Sequence, residues 1–524
     1  MYDIVLTGGL LCDGTGGKPF RANLCVKDGK IARITEELPQ GKEILDVTGL
    51  AVAPGFIDSH THSDTSHFDP GPALSQVAQG VTTEIAGNCG GSVMPSLEET
   101  REQMNAYLRP RKGMDAFESV SDYAREGNER GAVLNYGTLI GHSNLRVAVM
   151  GFVNRDPDEA EMEKLEALLD REMARGAFGM SLGLIYPPSA FSKAWELERL
   201  ARVIQKYDGI LAVHMRNEGP RVFEAVEEML SIARATGVHL HISHLKLMGK
   251  PQWGRAGELI QVLLDARAQG VNVTCDQYPF LASSTHMTAL VPNWAHEGGY
   301  EAMVQRLQTD DGQICRGIEK EMDNRGGPNA VLLVNTYGQN PQWEGKTVAE
   351  LSQILGLSPV ETVRQVLIAC GGRIYCVYFS MDKADMLAIM DQTFICVGSD
   401  GASLPHDREL TRYVPHPRYF AAFARFFQTI REEKRLPLET AVYKTTGLPA
   451  SILKLRDRGL LKEGMNADIT VFDPETIGSR AEFLESRIWP DGIRHVLVNG
   501  VPVIRDGAYT GTLPGRVVLM ACAE

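Results

Sequence analysis

Eight short apolar runs, separated by longer amphipathic stretches, constrain what this 524-residue chain can fold into more than any other feature. They fall at 51–59, 81–88, 133–140, 178–185, 210–215, 239–244, 271–277 and 394–399. Helical periodicity fills several of the intervals, from Asp158 to Arg175, Ala194 to Tyr207, Pro220 to Thr236 and Arg255 to Gln269. Parallel strands need crossovers of a dozen or more residues, and helices supply them, so strand and helix in alternation predict an α/β fold with a parallel sheet. Eight such units favour a closed (β/α)8 barrel over an open doubly wound sheet.

Two regions break the alternation. Residues 2 to about 50 are short apolar runs between turns, such as Ile4-Val5-Leu6, Asn23 to Val26 and Ile31 to Ile34, which is the texture of a small antiparallel sheet. The glycines at Gly14, Gly16 and Gly17 precede no helix and no Gly-Lys-Ser/Thr, so they read as a hairpin turn and not as a phosphate loop. The same texture returns at Asp468 to Asp473, Ile493 to Gly500, Val501 to Ile504 and Val517 to Leu519. Both chain ends, 1–53 and 455–524, are therefore expected to build one β-sandwich domain, with the barrel of residues 54–454 inserted between them. The second break is the interval of more than a hundred residues between the seventh and eighth runs, too long for a plain connection. It predicts an insert at about 285–390 that forms a lid over the barrel mouth.

In a parallel barrel the chemistry sits at the carboxyl ends of the strands. His60 and His62 end the first run, and at that spacing an extended strand puts both on one face. Cys89 ends the second run, His214 the fifth, His244 the sixth and Asp400 the eighth. Each has a plain alternative: a strand-end histidine can be hydrogen-bonded, and a buried cysteine can pack as a small hydrophobe. Their joint placement points instead to a metal centre, since thiolate, imidazole and carboxylate together suit zinc.

A net charge of -13 and a pI near 5.6 argue against a general affinity for nucleic acid or an anionic membrane, so a small-molecule partner is expected. The amino terminus does not read as a signal peptide, and no stretch of about 18 apolar residues is present for a membrane span. Nine scattered cysteines, an odd number, make no disulfide framework and lead to the expectation of a reducing cytoplasm. Oligomeric state is left open.

The chain resembles the amidohydrolase superfamily and, more closely, its D-aminoacylase (N-acyl-D-amino-acid deacylase) family, over nearly its whole length. The resemblance is carried by Pro54-Gly55-Phe56-Ile57-Asp58-Ser59-His60-Thr61-His62, Gly87-Asn88-Cys89-Gly90, Gly183-Leu184-Ile185-Tyr186 and His244-Leu245-Lys246. Asp276-Gln277-Tyr278-Pro279, Gly398-Ser399-Asp400-Gly401, His416-Pro417-Arg418 and the segment Asn466 to Asp473 continue it. The first motif is shared across the superfamily, whereas the cysteine after the second strand is particular to this branch. Many relatives bridge two metals with a carboxylated lysine from the fourth strand, and the run 178–185 contains no lysine.

The resemblance implies zinc-dependent hydrolysis of N-acyl-D-amino acids, with the D preference resting on it entirely. It implies a tight zinc on Cys89, His214 and His244 and a second, weaker position near His60, His62 and Asp400. It also implies that Lys246, Tyr186, Tyr278 and Ser284 hold the carboxylate or carbonyl of the substrate. The family tends to have His-His-Lys where this chain has His244-Leu245-Lys246, which leaves only the middle position in question. Asp400 is the expected general base, taking the proton of the attacking water and delivering it to the leaving amine. Arg418 and His416 could line the side-chain pocket or pair with the acidic surface. A cyclic-amide hydrolase of the dihydroorotase or hydantoinase kind is disfavoured by Cys89 and the missing lysine. A non-catalytic barrel kept as a binding module would be expected to have lost ligands, and all six are in place.

Overall fold

Gly55 divides the first apolar run between two sheets, so the single strand expected over 51–59 is two, Ala51–Pro54 and Phe56–Asp58. A Cβ on Gly55 would stand 2.1 Å from Thr82 Oγ1, and only glycine lets the chain turn so close to the neighbouring strand. The structure is a computed structural model and describes residues 1–407, 409–410 and 414–521.

Eight parallel strands answer the eight predicted runs. They are β1 (Phe56–Asp58), β2 (Val81–Ala86), β3 (Asn135–Thr138, resumed at Ile140–Gly141) and β4 (Gly179–Gly183). The other four are β5 (Ile210–His214), β6 (His239–Ile242), β7 (Val273–Gln277) and β8 (Ile395–Val397). Each pairs with the next in sequence order and every residue in them is buried, which fits their largely apolar make-up. Beyond their ends, a parallel bridge joins Thr61 to Gly401, so the first and last strands are also neighbours. Helices Glu159–Ala174, Ala194–Lys206, Val222–Thr236 and Ala256–Ala268 match the four predicted stretches. The first starts in a capping box: Asp158 accepts from Glu161 N and Glu161 accepts from Asp158 N, both at 2.9 Å. Their apolar faces, including Leu165, Leu200, Val226 and Leu263, share one core with the strands.

The two chain ends do share a sheet, but it is one continuous nine-stranded sheet and not the two sheets expected of a sandwich. The reason lies in Tyr2–Leu11, whose pairing shifts between Leu6 and Gly9 around Gly8 (φ 74°). Its first half pairs with Gly41–Asp46 and its second with Ala51 and Val52, so the strand bends and re-aims the sheet. The far edge then meets the carboxyl-terminal half: Ile31 N donates to Met465 O and Ala467 N to Gly29 O, both at 2.9 Å. Leu24, Val26, Ile31, Ile469 and Leu497 are buried inside this fold. The predicted hairpin holds, with Tyr2–Leu11 antiparallel to Phe20–Lys27 across the Gly14 to Gly17 turn. Phe56 of β1 stacks on Phe427 (5.2 Å) and Phe423 (5.8 Å) and meets Phe472 of the terminal sheet edge-on (5.8 Å).

Between β7 and β8, strands Ser283–His286, Val331–Asn335 and Tyr375–Tyr378 form a separate antiparallel sheet with the last in the middle. Helices Gly299–Gln308, Gln313–Asn324, Val348–Leu355 and Pro359–Ala369 pack around it over their own core, which includes Met303, Ile318, Val331 and Leu367. Helix Lys383–Met390 lies against Ala256–Ala268 and so belongs with the main array, which ends the inserted part about ten residues short of the expected 390. Among the described residues no helix is long and apolar enough to cross a membrane.

Candidate active site and metal centre

Three of the site residues have left-handed backbones, a conformation that costs a non-glycine residue about 1–3 kcal/mol: Cys89 (φ 52°), His244 (φ 37°) and Asp400 (φ 50°). The strand ends hold each in place. Asp400 N donates to His60 O (2.8 Å) and His62 N to Gly401 O (2.7 Å), locking β8 to β1. His244 N donates to Asp276 Oδ1 (2.8 Å), and Gly90 N donates to Ser181 Oγ (2.9 Å). Gly183 leaves room for the Cys89 carbonyl, which would lie 2.1 Å from any Cβ there.

Five of the six predicted ligands line one cavity, and the sixth, His60, lies buried behind it against Cys89 and Asp400. Cys89 Sγ is 3.4 Å from His60 Nε2 and 3.6 Å from His244 Nε2. Asp400 Oδ1 is 3.0 Å from His62 Nε2 and 3.5 Å from His60 Nε2. Ligand atoms of His60, Cys89, His244 and Asp400 lie within 4.8 Å of one another, and so do those of His214, Glu218 and His244. His244 is common to both sets, with Nδ1 3.0 Å from Glu218 Oε1. Cys89 stands with His60, His244 and Asp400, and His214 stands with Glu218 and His244. His62 touches Asp400 but belongs to neither set. Both ring nitrogens of His214 are buried without a hydrogen bond to the described residues, and its Nε2 lies 3.6 Å from Glu218 Oε2. An imidazole left in that state, among a thiol, further imidazoles and carboxylates, fits a zinc ion.

Electrostatics sharpen the donor set. Burial alone would raise the Cys89 thiol, but the adjacent His60 charge outweighs it and holds the thiol well below its usual range. Burial likewise works against Asp400, and Arg418, with Nη1 2.9 Å from Oδ2, outweighs it and keeps the carboxylate ionised well below its usual range. Glu218 is held low against its burial by Lys246, whose Nζ is 2.5 Å from Oε1. Burial and Lys246 would lower His244, but Glu218 and Asp400 prevail and bring it to about 9. Behind the centre, Asp276 Oδ2 lies 3.0 Å from both His60 Nδ1 and His241 Nε2. With Nδ1 engaged there, Nε2 of His60 faces the centre.

The four predicted substrate residues line one cavity of about 180 Å³ together with His62, Cys89, His214 and Asp400. Lys246 is not free in it, since Nζ also lies 2.8 Å from His244 Nδ1. Tyr186 Oη pairs with Thr285 Oγ1 (2.8 Å), and Ser284 Oγ donates to Cys376 O (3.0 Å). The buried Tyr278 hydroxyl has no hydrogen-bond partner among the described residues. Arg418 and His416 are both buried and not on the acidic surface. Arg418 joins the site through Asp400 and lies over the Tyr278 ring (5.0 Å), while His416 Nε2 donates to Ala282 O (3.0 Å) and pins the start of the insert.

Sequence reasoning missed Glu218 and gave Asp276 no role. Asp276 ends the seventh run and was within reach of the strand-end argument. Glu218 lies in the irregular segment after β5, where only its spacing of four residues from His214 marks it.

A model of the amidohydrolase family matches residues 43–504. D-aminoacylase of Alcaligenes xylosoxydans xylosoxydans is 34% identical over 524 residues, covering 100% of this chain and 98% of that protein. N-acyl-D-aspartate deacylase of the same organism is 34% identical over 521 residues, covering 98% and 95%. The crystal structure of N-acyl-D-glutamate deacylase from Bordetella bronchiseptica, complexed with zinc and a phosphonate mimic of the reaction's tetrahedral intermediate, has a TM-score of 0.83 at 32% identity, covering 99% of this chain and 100% of that one. A family match across most of the chain and full-length relatives above 30% identity agree with the thiol-containing centre at the strand ends: the chain belongs to the amidohydrolase family.

Proposed function

We propose that this protein is a zinc-dependent N-acyl-D-amino-acid deacylase, releasing a carboxylate and a free D-amino acid. The observation that carries the reading is Cys89 Sγ between His60 and His244, facing Asp400, beside a fourth strand without lysine. The names of its full-length relatives support the substrate class. We read the eight bridged strands as a (β/α)8 barrel, the separate sheet and helices before β8 as its lid, and residues 1–53 with 455–524 as the β-domain. Eight free cysteines among the described residues support a reducing, cytoplasmic setting.

Cys89, His60, His214, His244, Glu218 and Asp400 would hold the metal, and a bound zinc supplies Lewis-acid polarisation of the acyl carbonyl and a lowered pKa for water. Asp400, ionised because Arg418 faces it, accepts a proton from the attacking water at its carboxylate and returns it to the leaving nitrogen. His62, 3.0 Å from Oδ1, orients that carboxylate. Tyr278 offers the substrate a buried hydroxyl that no protein group occupies, and Lys246 offers the charge opposite its carboxylate. Residues Ser284 and Thr285 of the insert wall one side of the cavity.

Metal analysis of the purified protein, followed by acetate release from N-acetyl-D- and N-acetyl-L-amino acids, tests this. Zinc in the protein and release from the D series is the expected result. Release from neither series, with turnover of a cyclic ureide, overturns it.

A further inference from the structure

Arg325 follows helix Gln313–Asn324 of the insert and is only 7% exposed. Its guanidinium lies over the Tyr378 ring, 4.9 Å from the centroid, and its Nε makes no hydrogen bond. Among the described residues it forms no ion pair. The other cations around the reaction cavity are engaged: Arg418 with Asp400, Lys246 with Glu218 and Lys112 with Asp64. Glu321, one helical turn earlier, accepts instead from Asn324 Nδ2 (3.4 Å).

Arg325 also sits where two spaces meet. It lines the reaction cavity and a second chamber of about 270 Å³, and the two share Ile185, Glu218 and Ala289 as walls. A buried guanidinium without a counter-ion is unfavourable unless a ligand completes it, and its planar fork suits a carboxylate.

We propose that Arg325 is a specificity-determining residue that receives a second carboxylate of the substrate, in addition to the α-carboxylate. The inference rests on the deacylase reading above. The anion can come from an acidic side chain, as in an N-acyl-D-glutamate, or from a dicarboxylic acyl group such as succinyl. Either would meet Arg325 where the two spaces join.

Two isosteric comparisons separate the sources. N-acetyl-D-glutamate against N-acetyl-D-glutamine reads the side-chain arm, and N-succinyl-D-alanine against N-butyryl-D-alanine reads the acyl arm. In one arm, the preference in kcat/KM for the dicarboxylate falls about tenfold or more in Arg325→Met and is partly restored in Arg325→Lys. The arm that responds identifies the source. Activity with no such loss in either arm overturns the inference and leaves the deacylase reading standing. Inactivity on every N-acyl-D-amino acid defeats the deacylase reading, and calorimetry with glutarate then decides the subsite alone. Binding about tenfold weaker in a normally melting Arg325→Met supports the subsite, and equal affinity overturns it.

Discussion

Asp400 and Tyr278 face the same cavity in opposite states, one over-supplied with partners and the other without any. Arg418, His62 and His60 all reach the Asp400 carboxylate, so Asp400→Asn removes the proposed base without removing the groups that position it. Zinc content is expected to survive, with kcat down by about 10²–10⁴-fold; an unchanged kcat would show the proton goes elsewhere. The Tyr278 hydroxyl is a buried polar group with nothing to bond, a state that costs about 1–3 kcal/mol. Tyr278→Phe should therefore raise the melting temperature while lowering kcat/KM for N-acyl-D-amino acids. A variant less stable than the parent would show the hydroxyl to be bonded within the protein. The candidate ligands were legible because each closes an apolar run. Glu218 was not, because it reaches the centre from a segment with no periodicity, where its orientation depends on Lys246 and His244 being already in place.

Strand β4 carries no ligand, yet it sets the position of one. Gly183 lets β4 pass under the Cys89 carbonyl, and the obstacle to a side chain there is backbone, which cannot swing aside. Gly183→Ala is expected to lose bound zinc and about 1–3 kcal/mol of stability, read by metal analysis and urea unfolding; full zinc occupancy would refute the contact. The strands themselves were legible because parallel strands buried on both faces are rich in apolar residues, although buried polar residues such as Glu84 and Asp276 interrupt them. The break at Gly55 was not, since Ala51 to Asp58 is apolar on either side of it and only the approach of Thr82 shows the turn. The single terminal sheet was hidden for a similar reason: the bend at Gly8 is decided by which strands pair with each half of Tyr2–Leu11.

For the molecule as a whole, stability carries a pH dependence from a buried carboxyl beside the site. Glu84 of β2 stands opposite Asp58 in register, takes a hydrogen bond from Ser403 Oγ (2.6 Å) and, among the described residues, forms no salt bridge. Burial first, then Asp58, pushes it up to about 8 from 4.5. The folded state thus keeps a proton that the unfolded chain has lost between those values. The stability this group contributes is full below pH 4.5 and is lost as pH rises to about 8. Glu84→Gln should flatten that fall and overtake the parent toward pH 8, as urea unfolding at pH 5 and pH 8 would show; parallel curves would place Glu84 ionised in the fold. The bridge between Thr61 and Gly401 adds a matter of timing. His62 and Asp400 are 338 residues apart, so at about 5–20 residues per second the histidine leaves the ribosome roughly 20–70 s before the carboxylate that faces it. Strand β8 is the last of the eight parallel strands to be synthesised, which makes the meeting of Asp400 with His62 a late event. Any chain stalled before that strand holds a bare thiol and four histidines with no Asp400 to finish the site.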